Sequence, residues 1–195
     1  MAIPREYKQS VVVPLPTDTE IRAVVGDSYD PVEALNVIKM MAGTEDMYPA
    51  LVGMVKAIFA TPNIDDKHRE MIILRAAAIR DVPYEWQANE KMARNAGLSS
   101  EEIQAAAADG PVDGIDHEYV VICTATDELL GSGTLTDKTL TDLVDTFGAT
   151  TTRKYVATIA WFSLLSLFLN GLRVPLETSD KIGDRTSPLP RSRVA

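Results

Sequence analysis

Apolar residues recur at helical spacing through most of the chain between residues 30 and 176. They stand three, four and seven positions apart, which is the period of an amphipathic α-helix. A first helix is expected to begin at Asp30, an N-cap followed by Pro31 at the first helical position, and to end at Gly43. No run is typical of a core strand. The pattern therefore predicts an all-α fold, a bundle of seven or eight helices.

Both ends of the chain lack a sustained apolar period. Residues 1–29 hold prolines and scattered charges and are expected to form an extended N-terminal arm, and residues 177–195 a C-terminal tail. One helical domain, residues 30–176, is expected between them. The longest apolar run, residues 155–169, is shorter than the ~20 residues of a membrane-spanning helix. Because serines and a threonine interrupt it, we predict a buried helix.

Charge and cysteine content narrow the classes of function. The 195 residues carry a formal net charge of −9, which disfavours nucleic acid and anionic membranes as partners because both bind basic surfaces. Cys123 is the single cysteine, so no disulfide can form within the chain, as is usual in a reducing compartment. The N-terminus lacks the apolar segment of a signal peptide. We therefore expect a cytoplasmic protein.

One predicted helix places polar side chains on its apolar face. In the stretch "DVPYEWQANEKMARNAGLS", Glu85 and Asn89 share a face with Trp86 and Met92. A carboxylate in such surroundings must be paired, hydrogen-bonded or protonated, and burial raises its pKa toward neutrality. The alternative is that Glu85, at the third position after an N-cap at Val82, only caps the helix.

Other candidate residues have simpler interpretations. Glu70 begins a very apolar segment and is a second candidate for proton transfer, or a partner of Arg69 or Arg75 in an ion pair. His68 and His117 stand among charges near helix starts, where surface positions are the default. No cluster of histidine, cysteine and carboxylate has the spacing of metal ligands, so neither a metal nor another cofactor is expected.

The stretch "HREMIILRAAAIRDVPYEWQANEKMARNAGLSSEEIQAA" resembles the core of the carboxymuconolactone decarboxylase and alkylhydroperoxidase D-like superfamily. The resemblance covers about residues 32–176 and is strongest over 67–105. It implies an alkylhydroperoxidase D-like helical bundle that assembles as a dimer, trimer or hexamer, for which the apolar run 155–169 would suit an interface.

The chain departs from the superfamily's functional residues. Peroxidase members have a glutamate and then Cys-x-x-Cys-x-x-x-His; here Glu70 takes the place of the glutamate. Val82 and Glu85 replace the two cysteines, and Asn89 replaces the histidine. Disulfide exchange at this site is therefore excluded. Decarboxylase members usually keep the histidine as an acid or base, so their mechanism cannot be transferred unchanged. Tyr84 occupies a position that can hold a proton-relay histidine.

The resemblance and the polar face together predict a cofactor-independent acid/base enzyme. Its substrate would be a small organic acid, lactone or related carbonyl compound, and the reaction a decarboxylation, isomerisation, elimination or lactone opening. Glu85 would be the general acid or base and Glu70 would hold a second proton. Tyr84 and Asn89 would donate hydrogen bonds to an enolate or oxyanion.

Substrate binding and two alternatives complete the hypothesis. Trp86 and Met92 would form an apolar wall, and Arg75 or His68 would hold a substrate carboxylate. A first alternative is a non-catalytic oligomeric binding protein on the same fold. The second is a thiol-dependent, peroxidase-like protein that uses Cys123 in place of the missing cysteine pair.

Overall fold

A computed structural model describes residues 1–189 of the chain. This part contains eight α-helices of seven residues or more, one single-turn α-helix, two single-turn 3₁₀-helices and no β-strand. The predicted all-α fold is confirmed. The helices are α1 Asp18–Val25, α2 Asn36–Ala42, α3 Tyr48–Ala60, α4 Asp66–Arg80, α5 Pro83–Ala96, α6 Ser100–Ala106, α7 His117–Gly131, α8 Asp137–Leu172 and α9 Ser179–Ile182.

Helix α4 lies at the centre of the bundle and packs against α5, α7 and α8. The Asp65 side chain caps it by accepting a hydrogen bond from the Lys67 backbone N–H. Every residue from Arg69 to Ala78 is buried. A helix that is apolar on all sides must be surrounded by other elements, which explains its central place.

Helix α8 contains a break at Gly148, whose backbone is non-helical with φ at 77°. Glycine adopts this conformation without the steric cost that a Cβ atom brings. By length and composition α8 would suffice to cross a membrane, but 44% of its most apolar window is buried against the protein. It packs on α4 and α7.

Two segments at the start of the chain differ from expectation. The predicted start of the first helix at Asp30 is wrong, because the chain turns at residues 31–33 and the helix there, α2, begins only at Asn36. The Asn36 backbone N–H binds the Glu177 carboxylate, which supplies the cap from far along the chain. The N-terminal arm also contains a helix, α1, begun by a capping box between Thr17 and Glu20.

The segment after α8 packs back onto the bundle. Asn36 donates its side-chain N–H to the carbonyl oxygen of Pro175, 2.9 Å away, and Asn95 donates to that of Arg185, 2.8 Å away. Ile182 is buried in the core. The part of the predicted tail up to residue 189 therefore covers one side of α5, and residues 190–195 lie outside the described residues.

Candidate active site

An apolar cavity of about 30 Å³ lies between α2, α3, α5 and α8. Its walls are mostly aliphatic and aromatic, and its polar members come from α5. Six of the residues around it are Val37, Phe59, Glu85, Met92, Trp161 and Pro188. The free volume holds about one or two water molecules. The cavity thus places the Glu85 carboxyl group among apolar side chains. The amphipathic pattern of α5 predicted this arrangement.

Glu85 is buried at this cavity, with 1% of its surface exposed. Its Oε2 accepts a hydrogen bond from Ser166 Oγ at 2.6 Å, and its Oε1 has no hydrogen-bond partner among the described residues. Burial raises the pKa of Glu85 to about 8, although the Ser166 hydrogen bond acts in the opposite direction. The carboxyl group does not bond to the start of α5, so the capping interpretation does not describe this structure.

Glu70 is a second fully buried carboxyl group. Burial raises its pKa to about 8, the Arg69 guanidinium lowers it, and the negative charges of Asp66 and Glu85 raise it further. Arg69 Nε is 3.8 Å from Glu70 Oε1, and neither carboxyl oxygen has a hydrogen-bond partner among the described residues. The loose ion pair with Arg69 does not offset the effect of burial on the pKa of Glu70. The charge of Glu85 acts on Glu70, although Glu70 is not among the residues that line the cavity.

Two residues of α8 complete the site and were missed by the sequence analysis. Ser166 holds one oxygen of Glu85, and Trp161 lines the cavity with an indole N–H that has no partner in residues 1–189. A buried tryptophan N–H usually has a partner. The only signal in the sequence was a serine within an apolar run, which also fits a hydroxyl bonded to its own helix.

Tyr84 and Asn89 line the cavity but direct their donors elsewhere. The Tyr84 hydroxyl donates to Glu177 Oε1 at 2.6 Å and accepts from the Val37 backbone N–H at 3.0 Å. Burial and the nearby Glu177 carboxylate raise the pKa of Tyr84 well above its usual value. Asn89 donates its amide to the Glu85 backbone carbonyl at 2.8 Å. Their predicted role as oxyanion donors therefore requires rearrangement.

Of the four predicted substrate-binding residues, Met92 alone lines the cavity. Trp86 is buried, but its indole N–H points to Glu90 Oε2, 3.2 Å away. Arg75 forms a bidentate ion pair with Asp127, with its Nε 2.6 Å from Oδ1 and its Nη2 2.8 Å from Oδ2. It also donates hydrogen bonds to backbone carbonyl oxygens after α6. All of its guanidinium nitrogens are engaged, so Arg75 joins α4, α7 and the loop after α6.

His68 lies in an aromatic cluster near the start of α4. Its Nδ1 is 2.6 Å from the Tyr155 hydroxyl, and its Nε2 is 3.1 Å from a carboxylate oxygen of Glu118. The rings of Tyr119 and Phe147 pack edge-on against it. Burial lowers the pKa of His68, against the opposing effect of Glu118. The structure does not bring His68 to the cavity.

The thiol-dependent alternative gains no structural support. Cys123 is fully buried, and burial raises the pKa of its thiol to about 12, the opposite of a reactive cysteine. Within residues 1–189 no group of three or more histidine, cysteine, aspartate or glutamate side chains is arranged to hold a metal ion. His117 begins α7 and is exposed.

Comparison with known proteins identifies the central part of the chain. The family model described as "Carboxymuconolactone decarboxylase family" matches residues 45–117. This range runs from the turn before α3 to the first residue of α7 and includes Glu70 and Glu85. It confirms the resemblance stated from the sequence. A search of curated proteins found no match to this chain.

Proposed function

We propose, on the basis that residues 45–117 match the model of the carboxymuconolactone decarboxylase family, that this chain is a cofactor-independent acid/base enzyme. Its substrate would be a small organic acid, lactone or related carbonyl compound. The observation that carries the proposal is the buried Glu85 carboxyl group beside a cavity, with one oxygen unpartnered among the described residues.

Glu85 would transfer the proton. Because burial raises its pKa to about 8, Glu85 would act as a general acid while it holds its proton and as a general base once it has ionised. The Ser166 hydrogen bond fixes the rotamer of the carboxyl group and leaves Oε1 as the atom that exchanges the proton. Substrate bound beside Oε1 would receive a proton on carbon or oxygen, or lose one from the carbon next to its carbonyl group.

Two neighbouring groups would support this transfer. The unpartnered Trp161 N–H would donate a hydrogen bond to the substrate oxygen on which negative charge develops, the role first assigned to Tyr84 and Asn89. Glu70, also with a pKa of about 8, would keep the charge of the site low when Glu85 ionises, since the charge of Glu85 disfavours ionisation of Glu70.

Substrate entry would require movement of the C-terminal segment. The cavity of about 30 Å³ is too small for an organic acid, and Pro188 is one of its walls. The segment near it is held partly by single hydrogen bonds, such as the 3.4 Å contact from Arg69 to the Thr186 carbonyl oxygen. Displacing residues 186–189 would enlarge the cavity without disturbing α5 or α8.

Proton exchange offers a test that does not depend on knowing the full reaction. Small keto acids and lactones are incubated with the protein in D₂O, and loss of the proton next to the carbonyl is followed by ¹H NMR. We expect catalysed exchange for at least one compound, and its loss in Glu85→Gln, which preserves size and the Ser166 hydrogen bond. The matched control is Glu101→Gln, an exposed glutamate in the first turn of α6.

The same experiment separates the alternative function. If Glu85→Gln exchanges protons as fast as the wild type, Glu85 is not the acid or base. If no compound exchanges but several bind, the non-catalytic binding protein is the better description.

A homo-oligomer is the second part of the proposal. Leu164 and Leu167 on α8 are 48% and 63% exposed, next to the buried face of the same helix. An apolar face of this kind supports association with a second copy, as a dimer, trimer or hexamer. Light scattering after size exclusion tests it: a monomer of 21.3 kDa would contradict it, and Leu167→Glu should shift an oligomer toward the monomer.

A further inference from the structure

A second, larger cleft of about 190 Å³ lies where the ends of α4 and α8 meet the N-terminal arm. Its walls are polar, in contrast to the cavity beside Glu85. The side chains that matter for its chemistry are those of Tyr7, Lys8, Arg80, Asp81, Asn170 and Arg173. The acid/base proposal uses none of them, and only Arg80 and Asp81 lie within the family match.

The cleft contains positive charge without a counter-ion. Lys8 and Asp81 neutralise each other at 2.6 Å, and Glu6, also in the wall, is exposed. Arg80 and Arg173 are partly buried, and no carboxylate whose side chain the structure describes pairs with either. Arg80 donates to the Leu130 carbonyl oxygen at 2.9 Å and Arg173 to that of Val11, but the Nε atom of each is buried without a partner.

Helix dipoles explain the location of the two arginines but not their lack of counter-ions. Arg80 is the last residue of α4 and Arg173 the C-cap of α8, and a helix end offers about half a negative charge. The carbonyl groups there are already partly satisfied: the Asn170 side chain donates to the Arg80 carbonyl oxygen at 2.9 Å. Uncompensated positive charge therefore remains in one cleft of a protein whose net charge is −9.

An unpartnered acceptor stands beside the two cations. Asn170 donates its amide N–H to the carbonyl oxygens of Arg80 and Asp81, at 2.9 and 3.2 Å, which fixes the orientation of the amide. Its Oδ1 is buried and has no partner in the described part of the chain. A ligand that suits these three residues has anionic oxygens for the guanidinium groups and an O–H for the amide oxygen.

We propose that this cleft is a binding site for a small hydroxycarboxylate, held by Arg80 and Arg173 through its carboxylate and by Asn170 through its hydroxyl. Guanidinium groups bind carboxylates through paired hydrogen bonds. A volume of about 190 Å³ admits an acid of a few carbon atoms but not a nucleotide or a peptide. Small rotations of the arginine side chains bring their Nε–H groups to the ligand.

The site is separate from the acid/base centre. Tyr7 stands between them: it lines the cleft, and its hydroxyl is 3.5 Å from the carbonyl oxygen of Leu169, a residue that lines the apolar cavity. Binding in the cleft therefore does not require the carboxyl group of Glu85. Glu85→Gln is expected to bind hydroxycarboxylates as the wild type does, so each proposal can fail without the other.

Malate, succinate and inorganic phosphate are the probes, at constant ionic strength. The ¹H–¹⁵N signals of the arginine Nε–H groups are followed during titration of the full chain. Malate should saturate the shifts of Arg80 and Arg173, and succinate, which lacks the hydroxyl, should bind several-fold more weakly. Arg173→Gln should weaken malate binding about tenfold or more, in line with loss of a charged hydrogen bond. Arg94→Gln, an exposed arginine on α5, is the matched control and should leave it unchanged.

Three results would overturn the proposal. Malate shifts that never saturate would show non-specific charge screening, as would equal weakening by Arg94→Gln. Phosphate binding as tight as malate binding would exclude a site specific for carboxylates. If Arg173→Gln fails to fold, the wild-type titration of the Arg80 and Arg173 signals still decides the question.

Discussion

Replacing Glu85 by glutamine should weaken the dependence of stability on pH. In the folded protein the pKa of Glu85 is raised from 4.5 to about 8 because the carboxyl group is buried. The folded state therefore keeps a proton that the unfolded chain releases above pH 4.5. This contribution to stability is fully present below pH 4.5 and is lost as pH rises through about 8. Because glutamine does not titrate, Glu85→Gln removes this pH-dependent contribution.

The size of the effect follows from proton linkage. A proton held only by the folded state lowers the free energy of unfolding by about 1.4 kcal/mol for each unit that the pH rises. Between pH 4.5 and about pH 8 this amounts to about 5 kcal/mol. Glu70, with its pKa also raised to about 8, contributes a similar slope. The charge of ionised Glu85 raises the pKa of Glu70, so the substitution weakens the Glu70 contribution as well.

Urea unfolding at fixed protein concentration, at several values between about pH 5 and pH 8, measures these slopes. The wild type should lose stability with pH faster than Glu85→Gln, by about 1.4 kcal/mol per pH unit or somewhat more. Because burial lowers the pKa of His68, this residue makes stability rise with pH. Its effect is the same in both proteins and does not change the difference between their slopes. Glu101→Gln should keep the wild-type slope. Equal slopes for wild type and Glu85→Gln would refute the buried, protonated carboxyl group.

Three further predictions concern the neighbours of the site. Ser166→Ala should raise the pKa of Glu85 further in a ¹³C titration, because the lost hydrogen bond favours the charged form; a lowered pKa would contradict this. Tyr84→Phe should reduce the free energy of unfolding by about 1–3 kcal/mol in urea because it removes a donor from buried Glu177, and unchanged stability would mean that the contact contributes nothing. Cys123 should react with thiol reagents only as fast as the protein opens; rapid labelling of the native protein would restore the thiol-dependent alternative.

Local sequence signals predicted α5 and its polar residue well. Val82 and Pro83 begin the helix and Gly97 ends it in the left-handed conformation, as their residue types indicated. The spacing of Glu85 relative to Met92 placed both on the buried face. These features depend on residues a few positions apart, which helical periodicity determines.

Helical periodicity could not predict which residues contact the buried face of α5. Ser166 and Trp161 reach the site from a helix about eighty positions further along the chain, and Glu177 caps α2 from a distance of 141 residues. Arg75 shows the reverse case: its position on α4 fitted substrate binding, but Asp127 and the carbonyl groups after α6 bind it fully. Which buried charge is compensated depends on tertiary contacts that a helical pattern does not contain.

The direct test of the central claim is the titration of the Glu85 carboxyl carbon by ¹³C NMR, with glutamate labelled at Cδ and Glu85→Gln used to assign the signal. A midpoint near pH 8, close to that of Glu70, is the predicted result. A midpoint at or below about pH 5, the range of an exposed glutamate, would contradict the account.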